Sequence, residues 1–410
     1  MEFLVNLFMR LASAIRKAPL LLMAAILSSP ALLWASPGDT VQAYINTSIT
    51  HDNNLLRLRS AGSLGQPSAD TIKQGTLGMK VDWKQGRQEV LLDAAVSESR
   101  FSRFTSLNYR GTNLQSRWNW QLGNSLGGEI GYSRNTSLGS FSEQQSLANN
   151  LNTQHNKFVG GKWQVQPGLH LSGTLNHATY SVAGNPVYGN ESTSCAVGAD
   201  FTPSSGNTAG IRGTRQVQSY PALETFSGVP VDNGFTQDQL LATANWLYSG
   251  HVRVNGQAGV VSRTHNQVPE RDFSGATLRG ALTWLASGKS QLGLTAWNEI
   301  NGYDNLTTSF TRSKGVSLEP TWSPSGKLNV SAQLQHSKRD FLGNPLLKLF
   351  PGLLAPIRQD TVNSARLSVS YQPARTISLS ASIQDERRRS NQPEFDYDDR
   401  TIKLNMTFGL

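Results

Sequence analysis

The chain has 410 residues, a formal net charge of +9 and only 16% charged residues, which is low for a soluble domain. Cys195 is the single cysteine, so an intramolecular disulfide is excluded. No long apolar run follows the N-terminal segment, as expected of a β-barrel, in which only alternate residues meet lipid.

The first 35 residues have the features of an export signal. A short apolar run, Ala18–Leu27, follows three basic residues, Arg10, Arg16 and Lys17. Leu33-Trp34-Ala35 before Ser36 is an acceptable cleavage site. The sequence therefore predicts a cleaved signal peptide over 1–35 and one domain over 36–410. An inner-membrane anchor is the alternative, although the run is short for a bilayer.

Alternation with a period of two begins near residue 39 and continues to the C-terminus. In the first segment Val41, Ala43 and Ile45 alternate with polar side chains. Between 316 and 334 two alternating segments flank the turn Ser323–Gly326, so a β-hairpin with one apolar and one polar face is predicted there.

Eight such turns occur along the chain, each preceded by an aromatic residue on the apolar face. These predicted girdle residues are Trp83, Trp120, Trp163, Phe201, Trp246, Trp284, Trp322 and Tyr371. Interfacial aromatics beside short turns, with longer loops at the other rim, are typical of transmembrane β-barrels. A soluble repeat such as a β-propeller is the alternative, but its blades hold four strands each.

Eight turns join sixteen strands, and one further strand at each end makes about eighteen. The predicted fold is thus all-β, a transmembrane antiparallel up-and-down β-barrel in the Gram-negative bacterial outer membrane. The last strand must pair with the first, because hydrocarbon does not tolerate an open sheet edge. Long loops are predicted near nine segments, 53–70, 101–111, 135–155, 182–192, 219–235, 263–274, 302–312, 339–361 and 385–398. Within one of them, the apolar segment Pro345–Pro356 is predicted to constrict the lumen, to lie on the outer leaflet or to meet a partner.

The strand phase also predicts which side chains line the lumen. The predicted lining residues are Lys80, Arg117, Lys162, Arg212, Arg253, Arg279, Arg366, Lys403, Tyr44 and Trp297. They would form a hydrated polar channel, or charge pairs that brace the wall.

Motifs of enzyme chemistry are absent from the sequence. It contains no metal-ligand cluster, no nucleophile elbow and no phosphate-binding glycine loop, so no catalytic residue, metal or cofactor is predicted. The first loop carries the motif Asp52, Asn53, Asn54 and Arg57. Its Asp52 could lie near the group Asp396, Asp398 and Asp399, since the first and last strands are neighbours. A solvated loop with a loosely bound cation is the preferred interpretation of this acidic group, and a hydrolase the alternative.

Three segments resemble the EpsL family, the outer-membrane proteins of exopolysaccharide clusters associated with exosortase B and PEP-CTERM sorting, within a broader β-barrel porin group. They are Asp52-Asn53-Asn54-Leu55-Leu56-Arg57, Arg103–Tyr109 with the later Trp118-Asn119-Trp120, and Trp322–Lys327. Leu56 stands where an aromatic residue is commoner in the family, and Leu410 replaces the usual terminal aromatic. The resemblance covers essentially the whole mature chain and brings no catalytic residues.

The resemblance implies a role in exopolysaccharide biosynthesis or export, as a passive conduit or an assembly component. A general diffusion porin, or a structural barrel with no glycan role, is the alternative. Expected partners are outer-membrane lipid and lipopolysaccharide, the barrel-assembly machinery, polysaccharide and export-system proteins, with no nucleic acid.

Overall fold

The protein was analysed as a computed structural model that describes residues 40–59, 68–142, 151–226, 229–305, 308–343 and 357–410. The predicted signal peptide over 1–35 and the apolar segment Pro345–Pro356 lie outside the described residues. Within the described ranges, no helix is long and apolar enough to cross a membrane.

Twenty strands are present, and eighteen of them form one closed antiparallel barrel. The strands are β1 (Val41–Asp52), β2 (Asp70–Gln85), β3 (Gln88–Phe101), β4 (Tyr109–Leu122), β5 (Leu126–Leu138), β6 (Leu151–Gln166), β7 (Leu169–Val182), β8 (Asn190–Phe201), β9 (Thr208–Ser219), β10 (Glu224–Phe226), β11 (Val229–Val231), β12 (Phe235–Ser249), β13 (Val252–His265), β14 (Phe273–Ser287), β15 (Ser290–Asn305), β16 (Thr308–Ser325), β17 (Leu328–Leu342), β18 (Gln359–Ala374), β19 (Ile377–Ser390) and β20 (Tyr397–Gly409). Strands β10 and β11 form a separate small hairpin in the loop between β9 and β12.

Each barrel strand pairs with the next one along the chain, and β1 pairs with β20 to close the barrel. The predicted fold, strand number and closure are therefore confirmed. Four short 3-10 turns, at Thr105–Leu107, Pro186–Tyr188, Pro269–Arg271 and Pro393–Phe395, lie in the long loops.

The two faces of the wall differ as the alternation requires. One face presents exposed apolar side chains, such as Val197 at 62% exposure and Leu404 at 55%. The other face is the inner one, because Arg388 on β19 donates to the carbonyl of Ser142, in the loop after β5, at 2.7 Å. These two strands lie six apart around the barrel, so their contact has to cross the interior.

All eight girdle residues lie on the outward face near the short turns. Trp163 and Trp322 are about half exposed, at 51% and 53%. Trp120 is less exposed, because its ring lies over Gly128 of β5, where an added Cβ would overlap it. The short turns run from two residues (86–87) to six (202–207), and they all lie at one rim.

The prediction of a long loop at 302–312 is wrong, because strand residues occupy most of this segment. β15 continues to Asn305 and β16 begins at Thr308. β-branched and aromatic residues at this point favour strand, and the Phe310 ring packs on Phe273 with 4.4 Å between ring centroids. The β15–β16 hairpin is therefore taller than the alternation alone suggests.

Candidate conduit and its outer seam

The register places all ten predicted lining residues on the inward face. Lys80 on β2 lies opposite Asp93 on β3, and Arg279 on β14 lies opposite Trp297 on β15. The other seven, Arg117, Lys162, Arg212, Arg253, Arg366, Lys403 and Tyr44, follow the same alternation on their strands. An eighteen-stranded barrel is too wide for such side chains alone to fill, so its interior holds water or a plug of loop residues.

Three of the inward cations belong to a repeated unit of a glycine, an aromatic ring and a cation. In the first unit the Phe158 ring covers Gly131, where an added Cβ would overlap the ring atoms. The Arg117 guanidinium lies 5.7 Å from the centroid of that ring. The ring therefore lies against the wall, because glycine leaves room for it, and the cation stacks beside it.

The same arrangement recurs at two other places on the wall. Tyr44 covers Gly78 with Lys80 at 5.4 Å, and Trp297 covers Gly315 with Arg279 at 5.6 Å. Hydrogen bonds fix both rings, from the Tyr44 hydroxyl to Asp93 at 3.1 Å and from the Trp297 indole to Ser313 at 3.1 Å. We call these three units the aromatic platforms. Sequence reasoning named five of their members but missed Phe158 and the glycines.

The lining cations divide into paired and unpaired groups. Arg117 lies 3.4 Å from Glu129, and Arg279 binds both carboxylate oxygens of Glu299, at 2.8 and 3.1 Å. Arg366 donates to Gln384. Among the residues that the structure describes, no ion pair is formed by the other five lining cations, Lys80, Lys162, Arg212, Arg253 and Lys403. The wall therefore combines braced charges with cations that a solute can reach.

The first-loop motif joins the first strand to the last one. Arg57 donates to both carboxylate oxygens of Asp52 on β1, at 3.0 and 2.9 Å, and to Asp399 on β20 at 3.0 Å. Both carboxylates are buried. Burial lowers the pKa of Arg57 and the two carboxylate charges raise it, with a raised pKa as the net result.

The two asparagines of the motif extend this junction through the backbone. Asn53 exchanges hydrogen bonds with Arg400, from its backbone amide to the Arg400 carbonyl at 3.1 Å and from the Arg400 amide to its side-chain oxygen at 2.7 Å. The Asn54 side chain donates to the carbonyls of Leu58 and Asp398 at 2.8 and 2.9 Å. We call the motif together with Asp399 and Arg400 the outer seam.

Asp52 meets Asp399, as the pairing of the first and last strands predicts, but this pair is buried and not solvated, and strand alternation separates Asp398 from it. Asp52 and Asp399 face inward and hold Arg57, whereas Asp398 faces outward and pairs with Arg387 and Arg389, each at 2.8 Å. Asp396 accepts a hydrogen bond from the Ser390 amide at 2.7 Å. In the part of the chain that the structure describes, no group of three or more His, Cys, Asp or Glu residues could hold a metal ion.

A buried apolar cluster lies beside the outer seam, at the long-loop rim of the barrel. Its buried members are Leu55, Leu56, Leu58, Phe101, Phe104 and Leu107, contributed by the loops after β1 and β3. At another point of the mouth, Arg358 lies between the rings of Phe341 and Phe395, at 4.0 and 3.6 Å, and pairs with Asp360 at 3.0 Å. Sequence reasoning missed both clusters, since loop residues carry no periodic signal.

Comparisons with known proteins agree with this architecture. The sequence model of the family described as "Putative beta-barrel porin 2" matches residues 244–409. The solved structure of OccK2 (OpdF) from Pseudomonas aeruginosa superposes with a TM-score of 0.54 at 11% identity, over 92% of this chain and 100% of that one. OccK9 (OpdG) from the same organism has a TM-score of 0.52 at 12% identity, over 90% and 98% of the two chains.

OccAB3 from Acinetobacter baumannii has a TM-score of 0.51 at 8% identity, over 90% of this chain and 99% of that one. A search of curated proteins found no significant match. At these identities the likeness shows the fold alone. The chain folds as an eighteen-stranded antiparallel β-barrel like theirs, and the family model that matches its C-terminal part describes β-barrel porins.

Proposed function

We propose that the barrel is a passive conduit for an acidic exopolysaccharide, or for its acidic saccharide units, across the outer membrane. The aromatic platforms carry this proposal. Sugar rings stack their C–H groups on flat aromatic faces, and a guanidinium grips the carboxylate of an acidic sugar through two hydrogen bonds. Each platform offers an aromatic face beside a cation, which is an arginine in two of them and Lys80 in the third.

The distribution of these groups around the wall suits transport better than tight binding of one solute. The platforms lie on three separate groups of strands, β1–β2, β4–β6 and β14–β16. The unpaired cations Arg212, Arg253 and Lys403 lie on strands between these groups, and Lys162 lies on β6. Conduction requires many weak sites instead of one tight site, and a distributed set of contacts meets that requirement.

Two resemblances support an acidic saccharide as the solute. The first-loop segment Asp52–Arg57, the segment Arg103–Tyr109 with Trp118–Trp120, and the turn Trp322–Lys327 resemble those of the EpsL family, which implies exopolysaccharide chemistry. In addition, OccK2 (OpdF) from Pseudomonas aeruginosa has been solved in complex with glucuronate, an acidic sugar. An assembly component of the same export system is the variant of this proposal in which the lumen does not conduct.

A general diffusion porin is the second candidate function. The ion pairs Arg117–Glu129 and Arg279–Glu299 favour it, because they neutralise part of the inner charge and weaken any preference for anions. Deleting the protein separates the two candidates. A conduit role requires that secreted polysaccharide falls in amount or changes location, whereas a general porin leaves it unchanged.

The direct test uses purified barrels in planar bilayers with oligoglucuronate as the probe. We expect the acidic oligomer to block the current of the wild-type barrel transiently. In the Arg117→Gln/Arg279→Gln variant the dwell time should fall on the order of fivefold, since an exposed charge contact contributes up to about 1 kcal/mol. Ion selectivity should also shift toward cations.

A matched control removes two arginines that are ion-paired on the outward face. Arg100→Gln/Arg215→Gln eliminates the partners of Glu98 and Asp238 and should leave current block and selectivity unchanged. Current block by a neutral oligosaccharide of equal length should be the same in both variants as in the wild-type barrel. The conduit proposal is refuted if the purified barrel shows no conductance and cells that carry the double variant export polymer normally. The assembly role would then remain.

A further inference from the structure

The short turns of four consecutive hairpins each carry a basic side chain. His251, Lys289 and Lys327 follow a Ser-Gly pair in the turns after β12, β14 and β16, and Arg375 lies in the turn after β18. All four residues are exposed, and they lie on the rim that faces the periplasm in outer-membrane barrels. We call them the basic arc.

The other short turns differ from those of the arc. The turns 123–125, 167–168 and 202–207 lie on the opposite side of the rim and contain no charged residue. Arg87, in the turn after β2, donates to the carbonyl of Gly123. The short-turn rim is therefore basic on one side and uncharged on the other.

The arc lacks acidic neighbours. No Asp or Glu occurs in the segments 247–253, 285–291, 323–329 and 372–378, which contain its four turns. Within the described ranges no ion pair involves His251, Lys289 or Arg375. Lys327 donates one hydrogen bond to the carbonyl of Pro373 at 3.0 Å, which leaves two of its three N–H donors. These side chains are thus available to an anionic partner.

Hydrogen bonds hold the turns of the arc in fixed positions. The backbone amides of His251, Lys289 and Lys327 donate to the hydroxyl of the serine two residues earlier, at 3.2, 3.2 and 3.3 Å. The carbonyls of the same three residues accept from a backbone amide of the next hairpin, at 2.7, 2.7 and 2.8 Å. Each turn is tied to its neighbour, so the array is preorganised, which lowers the entropy cost of binding.

The dimensions of the arc suit a folded protein. Neighbouring turns are two strands apart, which is about 10–13 Å along the rim at a strand spacing of about 4.8 Å and a tilt of about 40°. The four turns together span roughly 30–40 Å, about the width of an interface that buries about 800 Å² on each partner. Tyr248, close to His251, is 78% exposed, and tyrosine is a typical anchor of such interfaces.

Two other anionic partners fit this one-sided surface less well. Lipid surrounds the whole barrel, so a site for lipid headgroups has no reason to stop halfway around the rim. A polymer that enters the lumen meets the uncharged turns as readily as the basic ones. A protein that docks on one side of the mouth requires contacts on that side only.

We propose that the basic arc is a docking surface for an acidic protein of the periplasm. The four basic side chains donate charge-assisted hydrogen bonds to carboxylates of the partner, and the Tyr248 ring packs against it. The surface lies outside the lumen and does not depend on what the barrel conducts.

The first test measures binding of the purified barrel to poly-glutamate coupled to beads that are too large to enter the lumen. The wild-type barrel should bind, and the His251→Gln/Lys289→Gln/Lys327→Gln/Arg375→Gln variant should bind at least about tenfold more weakly, which corresponds to about 1.4 kcal/mol. Added salt should weaken binding of the wild type, because exposed charges are screened.

The matched control removes the same residue types in the long-loop half of the barrel. His51→Gln/Lys73→Gln/Arg134→Gln/Lys314→Gln should leave binding to poly-glutamate unchanged, since all four residues are exposed and lie far from the short turns. The conservative Lys289→Arg/Lys327→Arg variant should retain binding, and the heat-induced mobility shift on gels reports folding of each variant. Equal binding by the arc variant and the wild type would overturn the proposal, as would an equal loss in the control.

Two further probes separate a protein partner from the other anions. Vesicles of phosphatidylglycerol should bind the wild type and the arc variant equally, and current block by oligoglucuronate should be the same in both. A parallel loss with the vesicles would make the arc a lipid contact, and a parallel loss with oligoglucuronate would make it an entry site for polymer. Either result would overturn the proposal.

The second test is made in cells, with p-benzoylphenylalanine in place of Tyr248. Illumination should link this position to an acidic periplasmic protein, and adding Lys289→Gln/Lys327→Gln should remove the adduct. The same photoreactive residue in place of Tyr188, an exposed tyrosine at the opposite rim, should not give that adduct. The proposal fails if no adduct forms at position 248 or if the adduct persists without the two lysines.

Discussion

At the scale of single residues, Arg57 forms the ion pairs that join the two strands of the outer seam. Among the described residues it is the one non-glycine residue with a positive φ, 56°. Such backbone geometry is uncommon for residues with a side chain, and it directs the guanidinium toward two buried carboxylates. A residue in this conformation is held there by its partners.

We therefore expect Arg57→Ala to destabilise the barrel by about 3 kcal/mol, because removing one partner of a buried ion pair leaves uncompensated charge. The midpoint of unfolding in urea, followed by tryptophan fluorescence in detergent, measures this loss. Arg59→Ala, an exposed arginine in the same loop, serves as the control. If Asp52→Asn/Asp399→Asn does not recover stability in the Arg57→Ala protein, charge at the seam is not the cause.

At the scale of elements, the aromatic platforms depend on which strands are neighbours. Gly131 on β5 lies beside Phe158 on β6 through the register of those two strands, which are joined by a long loop. The sequence shows the phase of each strand, since phase is a local property. It does not show which glycine lies under which ring, because that depends on pairing across 27 positions of the chain.

Gly131→Ala should move the Phe158 ring off the wall, since an added Cβ overlaps only ring atoms. We expect a loss of about 1–3 kcal/mol in stability, typical of an inserted methyl group, and a lower single-channel conductance as the ring enters the lumen. Gly173→Ala on β7 is the control, because nothing lies within 4 Å of its added Cβ. Adding Phe158→Ala should reverse both effects, and failure to reverse them would show that the backbone, not the ring, is displaced.

At the scale of the whole molecule, strand number, closure and the outward and inward faces follow from the period-two alternation. This succeeds because each strand meets lipid on one side and water on the other, so the pattern is repeated in every strand. The tall β15–β16 hairpin departs from the expectation, since above the membrane neither face meets lipid and the alternation fades. The loop clusters at the outer mouth were missed for the same reason.

In outer-membrane barrels the short turns face the periplasm and the long loops face the cell exterior, and this expected orientation can be tested directly. In a Cys195→Ser background, the Ala183→Cys variant places a thiol in an exposed long loop, and Lys289→Cys places one in a short turn. A membrane-impermeant maleimide should label only the Ala183→Cys protein on intact cells and both proteins after lysis. Labelling of the Lys289→Cys protein on intact cells would reverse the assigned orientation.

The outer seam also has a consequence for the order of folding. Its hydrogen bonds join residues that are more than 300 positions apart, such as Arg57 with Asp399. The loop that holds Arg57 is made early and can pair at once with Asp52 on β1, yet its second partner, Asp399, belongs to the last strand. Such non-local pairing slows folding, because a long stretch of chain has to be ordered before the contact forms. Until β20 arrives, Arg57 lacks its partner Asp399 and the edge of β1 stays unpaired. We propose that the barrel-assembly machinery covers this edge during insertion.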